Sequence, residues 1–326
     1  MGERRFLFSW QSVRQEDTLR RTLRSNLNLT EWRYLMSQDN KNNTDHNFDP
    51  TLFQPAEPVK LFDDYYFIGN KLVGFHVLKT SEGLVLFEAM DRYDVDDEFL
   101  IPGLQKLGLE QEKILMLFLT HGHFDHYMGA EKVRLRTGCD VALSAEDSVF
   151  LVNGPDNYLD IEDLRVPRIT RLVKDGEDLT FGSHTVHVLS APGHTPGCLN
   201  YSFEVHDNGR LHRVIMVGGY GVFGPGVYPG GHEYPHSVTY AVEQALDFAV
   251  SCVKTWEYVK ETGCDVYLNP HPHLCDLFAL AEQNQSRKEG EENAFVIGRD
   301  GVRKWIQERF DVCLDCAQKF TDIRGN

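Results

Sequence analysis

Three histidines and an aspartate crowd one six-residue window, His121-Gly122-His123-Phe124-Asp125-His126, with Thr120 leading in. Imidazole nitrogen and carboxylate oxygen are the donors zinc takes when no thiolate is offered. His121 and His123, two positions apart in an extended turn, can point the same way. Asp125 and His126 lie just beyond and can face a second point in space. The spacing therefore predicts two adjacent metal ions. Such a cluster is dense for a chain with 14 histidines in 326 residues. It cannot close two sites alone, so further histidines are required from downstream loops.

The elements around the window are those that would supply them. Lys113–Leu119 is an apolar run that reads as a buried strand ending at the window. Thr185–Leu189 alternates cleanly and runs into Ser190–Gly197, where two prolines and two glycines fix a rigid loop around His194. A short strand, Asp265–Leu268, ends in Asn269-Pro270-His271-Pro272-His273. Strands that share a sheet would bring these loops to one edge. His271 is the expected ligand there and His273 its rival. His76, His184 and His187 sit inside strand patterns and read as packing or surface residues. Further strands are expected at Tyr65–Ile68, Leu72–Leu78, Leu84–Phe87, Val141–Leu143, Leu199–Val205 and Leu211–Val217. Helices are expected at Asp97–Leu107, Gly129–Arg136 and Val238–Thr262, and over the charged last 50 residues. Helix and strand alternating at this spacing argue for α/β layering. Residues 11–37 repeat leucines every four positions. Residues 1–55 are read as an N-terminal helical extension that covers the domain, caps its site or mediates a homo-oligomer, with the main domain over 56–326.

The net charge of −16 argues against nucleic acid and against anionic membrane surfaces. No apolar run reaches membrane-spanning length, and Met1–Trp10 lacks a secretory apolar core, so a cytoplasmic protein is expected. Seven scattered cysteines read as reduced thiols, with Cys313 and Cys316 as two thiols on a helix face. The glycine-rich segment from Gly218 to Gly231 reads either as a pocket wall or as a plain connector. Its aromatics Tyr220, Phe223 and Tyr228, together with His236, are the candidate substrate contacts.

The HxHxDH element, the Ala191–Gly197 loop, Pro55-Ala-Glu-Pro58, Tyr234-Pro-His236 and Asn269-Pro-His-Pro272 together resemble the metallo-β-lactamase superfamily, over roughly residues 58 to 275. Within it the chain is most similar to the third subclass of metallo-β-lactamases. That resemblance implies a four-layer αββα sandwich with two zinc ions. His121, His123 and His194 would hold one ion; Asp125, His126 and His271 would hold the other. It implies hydrolysis of an amide or ester bond in a small-molecule lactam, lactone or related compound by a metal-bridging hydroxide, with Asp125 orienting the nucleophile. Val217–Val222 lacks the bridging aspartate of many superfamily members. This agrees with the subclass and speaks against the glyoxalase II and ribonuclease branches. Tyr220 and Gly221 stand where the subclass commonly has Asp and Ser, which argues against a standard β-lactam pocket. Glu88 takes the place of the superfamily's early-strand acid, as a partner to a ligand. An iron-dependent oxidoreductase or sulfur dioxygenase on the same fold is the alternative.

Overall fold

Alternation within single strands shows how the layers stack. In β4 (Leu84–Phe87), Val85 and Phe87 enter one apolar cluster while Leu84 and Leu86 enter another. In β5 (Ile114–Phe118), Met116 and Phe118 face the first cluster and Ile114 and Leu117 the second. A strand buried on both faces must lie between two other layers. The computed structural model describes residues 53–153, 164–222 and 238–324. The extension over residues 1–55, with its helix at 11–37, therefore lies outside the described residues as far as Leu52.

The first sheet has seven strands in sequential order. The others are β1 (Val59–Phe62), β2 (Tyr65–Gly69), β3 (Gly74–Lys79), β6 (Asp140–Ser144) and β7 (Arg171–Val173). Strands β1 to β4 pair antiparallel through tight turns, and β4 to β7 pair parallel. Parallel pairing needs crossovers. These carry α1 (Ile101–Leu107, entered through a wider turn at Asp96–Leu100), α2 (Phe124–Tyr127), α3 (Ala130–Thr137) and α4 (Ala145–Asn153). Phe99, Leu104, Tyr127 and Val133 cover the outer face of the sheet.

The second sheet has the order β12-β11-β10-β9-β8. Its strands are β8 (Asp178–Phe181), β9 (His184–Ser190), β10 (Leu199–Asp207), β11 (Arg210–Met216) and β12 (Val266–Leu268). All pairs are antiparallel except β11 with β12. The outer face is covered by α5 (Val238–Thr262), α6 (Leu277–Gln285) and α7 (Gly298–Arg324), through Phe248, Val259, Leu277 and Ile306 among others. The result is the expected αββα sandwich. The expected strands and the 238–262 helix are present within a few residues of their sequence bounds. Helix α4 carries no clear sequence signal and was not anticipated. No helix among the described residues is long and apolar enough to cross a membrane. Cys313 is buried on α7 and Cys316 half-buried, both as free thiols.

Aromatic rings hold the two sheets together. Phe87 stacks on Phe118 at 5.5 Å and on Phe203 of the opposite sheet at 4.9 Å, and Phe118 meets Tyr201 at 5.1 Å. The buried Tyr201 hydroxyl donates to the Leu119 carbonyl at 2.7 Å. That bond and Leu199 N–H to Thr120 O at 2.8 Å fasten the start of β10 to the end of β5. Deleting a fully buried Phe ring costs about 3–5 kcal/mol. Phe87→Ala is expected to lose that much in urea unfolding; a loss under about 1 kcal/mol would show that this ring cluster does not hold the sheets.

Candidate metal centre

The polypeptide leaves β5 at Phe118 and is kept on the sheet edge by Leu119 N–H to Ala142 O at 3.0 Å. From Thr120 it bends across the edge and enters the one-turn helix α2. His121, His123 and His126 are almost wholly buried, and Asp125 is partly open to solvent. His194, from the loop after β9, and His271, from the loop after β12, close on this segment. Two sets of three result: His121, His123 and His194, and Asp125, His126 and His271, each with ligand-type atoms within 4.8 Å of one another. These are the six residues singled out in the sequence. His273 stays outside both sets, its ring 5.5 Å from that of His271. His76 is buried between Tyr65 and Phe67 as a packing residue, and burial pushes its pKa down to about 3.

Hydrogen bonds orient the rings. His194 donates from Nδ1 to Gly221 O at 2.6 Å, and His271 from Nδ1 to Leu72 O at 2.9 Å, so each has Nε2 bare and turned inward. His126 presents Nδ1 to Glu88 Oε2 at 2.5 Å, which turns its Nε2 inward as well. His121 Nδ1 rests on Thr120 Oγ1 at 3.0 Å, and its Nε2 is buried without a hydrogen-bond partner. Inward nitrogens then meet: His123 Nδ1 and His194 Nε2 at 3.1 Å, His126 Nε2 and His271 Nε2 at 3.2 Å. The Asp125 Oδ2 atom lies 3.4 Å from His126 Nε2 and 3.5 Å from His271 Nε2. Two nitrogens bound tetrahedrally at ~2.0–2.1 Å lie roughly 3.3 Å apart, so both donor sets fit a zinc-like ion.

The electrostatics agree. Burial, then the neighbouring rings, drives the pKa of His121 and His123 well below the usual histidine value. Burial lowers His194 to about 4 and His271 to about 3. These imidazoles are neutral at physiological pH and need lose no proton to coordinate. Asp125 is the reverse case: burial opposes its charge, but His126, His271 and His123 overcome that and hold its pKa far below the carboxylate range. Burial also opposes a charge on His126, yet Asp125 and Glu88 lift it to about 10. The second set thus favours a positive charge, which an ion can supply as well as a proton.

Two acids outside the ligand sets hold the loops. Glu88 follows β4 with φ 71°, a left-handed backbone that is strained for a non-glycine residue. Besides His126 it accepts the Thr120 N–H at Oε1, 2.8 Å. This is the partner role expected from its sequence position. Asp147, at the first turn of α4, is fully buried and was not foreseen. It accepts from Gly122 N–H at 2.8 Å, Thr195 Oγ1 at 2.6 Å and Gly197 N–H at 2.6 Å. One carboxylate therefore ties the His121/His123 loop to the His194 loop. Gly197 is required for this approach, since an added Cβ would lie 2.2 Å from Ser144 Oγ and 2.5 Å from Asp147 N. Its partners are 25 to 50 residues away in sequence, so no local spacing marks Asp147.

Tyr220 is about two-fifths exposed beside Gly221, with the Arg309 guanidinium 3.8 Å from its ring centre. Phe223, Tyr228 and His236 lie outside the described residues. A ring not singled out earlier, Phe150 of α4, packs 5.7 Å from His123.

A family model described as the metallo-beta-lactamase superfamily matches residues 76–208. Residues 76–208 belong to the metallo-beta-lactamase superfamily. Among solved structures, BJP-1, a subclass B3 metallo-beta-lactamase of Bradyrhizobium japonicum, is 26% identical. It superposes with a TM-score of 0.67 over 84% of this chain and 98% of its own. Native FEZ-1 metallo-beta-lactamase from Legionella gormanii, 21% identical with a TM-score of 0.67, covers 82% of this chain and 98% of its own, and shares the fold. Among curated sequences, a hydroxyacylglutathione hydrolase of Rhizobium johnstonii is 34% identical over 91 residues, which is 28% of this chain and 30% of that protein. The match thus spans under a third of that relative's length. Among the described residues, Asp125 is the only carboxylate in either ligand set of this centre.

The Asp147 clamp makes a pH prediction. Burial raises the Asp147 pKa from the ordinary 3.8 to about 6, against the opposing effect of its three hydrogen bonds. The folded chain therefore takes up this proton before the unfolded chain as pH falls. The burial penalty is absent below the unfolded value and fully present above the folded one. Relative to Asp147→Asn, the parent is expected to lose about 3 kcal/mol of stability as pH rises through this window. Urea titrations of both proteins across about pH 3.5–7 check this; a constant difference between them would contradict it.

Proposed function

We propose that this protein is a zinc-dependent hydrolase that cleaves an amide or ester bond in a small molecule. The observation that carries the reading is the pair of donor sets, all-histidine beside one-aspartate-two-histidine, at coordination spacing on one sheet edge. Zinc bound there supplies Lewis acidity and a water acidified toward neutral pH. The protein's residues do the rest. His121, His123 and His194 hold one ion as neutral donors, and Asp125, His126 and His271 the other. Glu88 fixes the His126 ring with Nδ1 protonated and Nε2 free. The Asp125 carboxylate, ionised and partly solvent-facing, would accept a hydrogen bond from the attacking water and orient it toward the scissile carbonyl. Phe150 against His123 keeps bulk water from one side.

The substrate class follows from charge. In sequence, residues 154–163, which follow α4, and 223–237, which follow Val222, contain no Lys or Arg, and the chain carries −16 overall. Recognition of a carboxylate or phosphate would need such a cation, and Arg309 near Tyr220 is buried and already stacked on that ring. A neutral lactone, ester or amide is therefore favoured over an acid-bearing antibiotic or a glutathione thioester.

Purified protein is expected to contain at least two zinc ions per chain by mass spectrometry and to hydrolyse neutral lactones or esters faster than a chromogenic cephalosporin. His121→Ala and Asp125→Ala are each expected to lower kcat/KM by at least about a hundredfold while the far-ultraviolet spectrum stays unchanged. Iron in place of zinc, with oxygen consumption, would establish the oxidoreductase reading instead; full turnover in both variants would remove the metal mechanism.

A further inference from the structure

A third cluster of metal-binding groups lies at the other end of the sandwich. Asp64 sits in the turn between β1 and β2, His184 opens β9 and His206 lies near the end of β10. Strand β2 runs parallel to β4, since both pair antiparallel with β3. Its start is therefore remote from the end of β4, where Glu88 serves the ligand loops. Likewise β9 begins at His184 and ends in the loop carrying His194. The three residues are thus separated from the centre described above by the length of the strands.

Their ligand atoms lie within 4.8 Å of one another. Asp64 Oδ2 is 3.0 Å from His184 Nε2 and 2.6 Å from His206 Nδ1. The remaining atoms are tethered. Asp64 Oδ1 accepts the His206 backbone N–H at 2.9 Å, and His184 Nδ1 meets Ser183 Oγ at 2.8 Å. Metal sites are built this way, with the outer atom of each ligand fixed so that the inner one points at the ion. His184 is buried, Asp64 partly buried, and the His206 side chain 41% exposed, which leaves an open coordination position toward solvent. Asp63, next in the chain, adds a second carboxylate nearby, with Oδ2 accepting from Asn208 N–H at 2.8 Å.

We propose that Asp64, His184 and His206 form a separate binding site for a divalent transition ion of the zinc, nickel or cobalt class, the ions that two imidazoles and one carboxylate suit. With both imidazoles neutral, binding requires only a change of tautomer. On His184 the proton moves from Nε2 to Nδ1 and is donated to Ser183 Oγ; on His206 it moves from Nδ1 to Nε2 and faces water. The ion replaces two N–H···O bonds to Asp64 and links the β1–β2 turn of one sheet to β9 and β10 of the other.

The test is a metal count. Metal-free protein is equilibrated with Zn²⁺, freed of unbound ion by gel filtration and assayed by mass spectrometry, for the parent, His206→Ala and Asp64→Asn. His206→Ala is the variant that spares the fold, because its side chain is 41% exposed and is held through Asp64 and the His184 ring. The parent is expected to retain one equivalent more than either variant, with hydrolysis by the main centre unaltered in His206→Ala. The count is a difference, so it does not depend on what the His121 centre holds or on its activity. Equal counts in the parent and a folded His206→Ala would overturn the proposal and leave the three groups as a hydrogen-bonded latch between the sheets.

Discussion

Six lone-pair-bearing side chains are held in a largely buried space with their inward atoms about 3 to 3.5 Å apart. In a low-dielectric interior such groups destabilise one another unless a cation lies among them. The rest of the molecule is arranged around that constraint. The direction in which each ring titrates expresses it: four imidazoles are kept neutral, one carboxylate is kept ionised, and one imidazole is drawn toward a charge by two acids. Such opposed shifts within one cleft are typical of sites built to bind or to react.

Holding the groups together is a task for backbone and for acids that bind no ion. The parallel strands β4, β5 and β6 end at one edge, and β9, β11 and β12 deliver the second set of loops to it. Tyr201 and Leu199 lock the two sheets at that edge. Glu88 and Asp147 then act as two pegs, one fixing His126 and Thr120, the other joining the loops of His123 and His194. The strained backbone at Glu88 is tolerated because its carboxylate is bonded on both oxygens. Gly219 has a related role. A Cβ there would fall 2.5 Å from that of His194, so the segment bearing the Gly221 carbonyl can lie close against the ligand.

The six clustered side chains were legible in the sequence because their chemistry is local. His121 to His126 share one turn, and His194 and His271 each follow a strand marked by alternation and a proline-rich loop. Strands such as β4 and β5 were legible as apolar runs between turn residues. Asp147 was not legible, because its partners come from two loops far along the chain and its own surroundings, Ser144-Ala-Glu-Asp-Ser148, look like an ordinary helix start. His184 was read as a strand histidine without a role. Its pairing with Asp64 depends on a contact between sheets across 120 residues, which no periodicity reveals. The comparisons divide in the same way. Sequence similarity over a short stretch points to hydroxyacylglutathione hydrolases, while the overall fold aligns with subclass B3 structures.

The most direct test of the account is an anomalous-difference map from crystals of the purified protein, collected at the zinc absorption edge. At this centre the account predicts a strong peak among His121, His123 and His194 and another among Asp125, His126 and His271. A map with no peak at either set, in a crystal whose solution held saturating zinc, would contradict it.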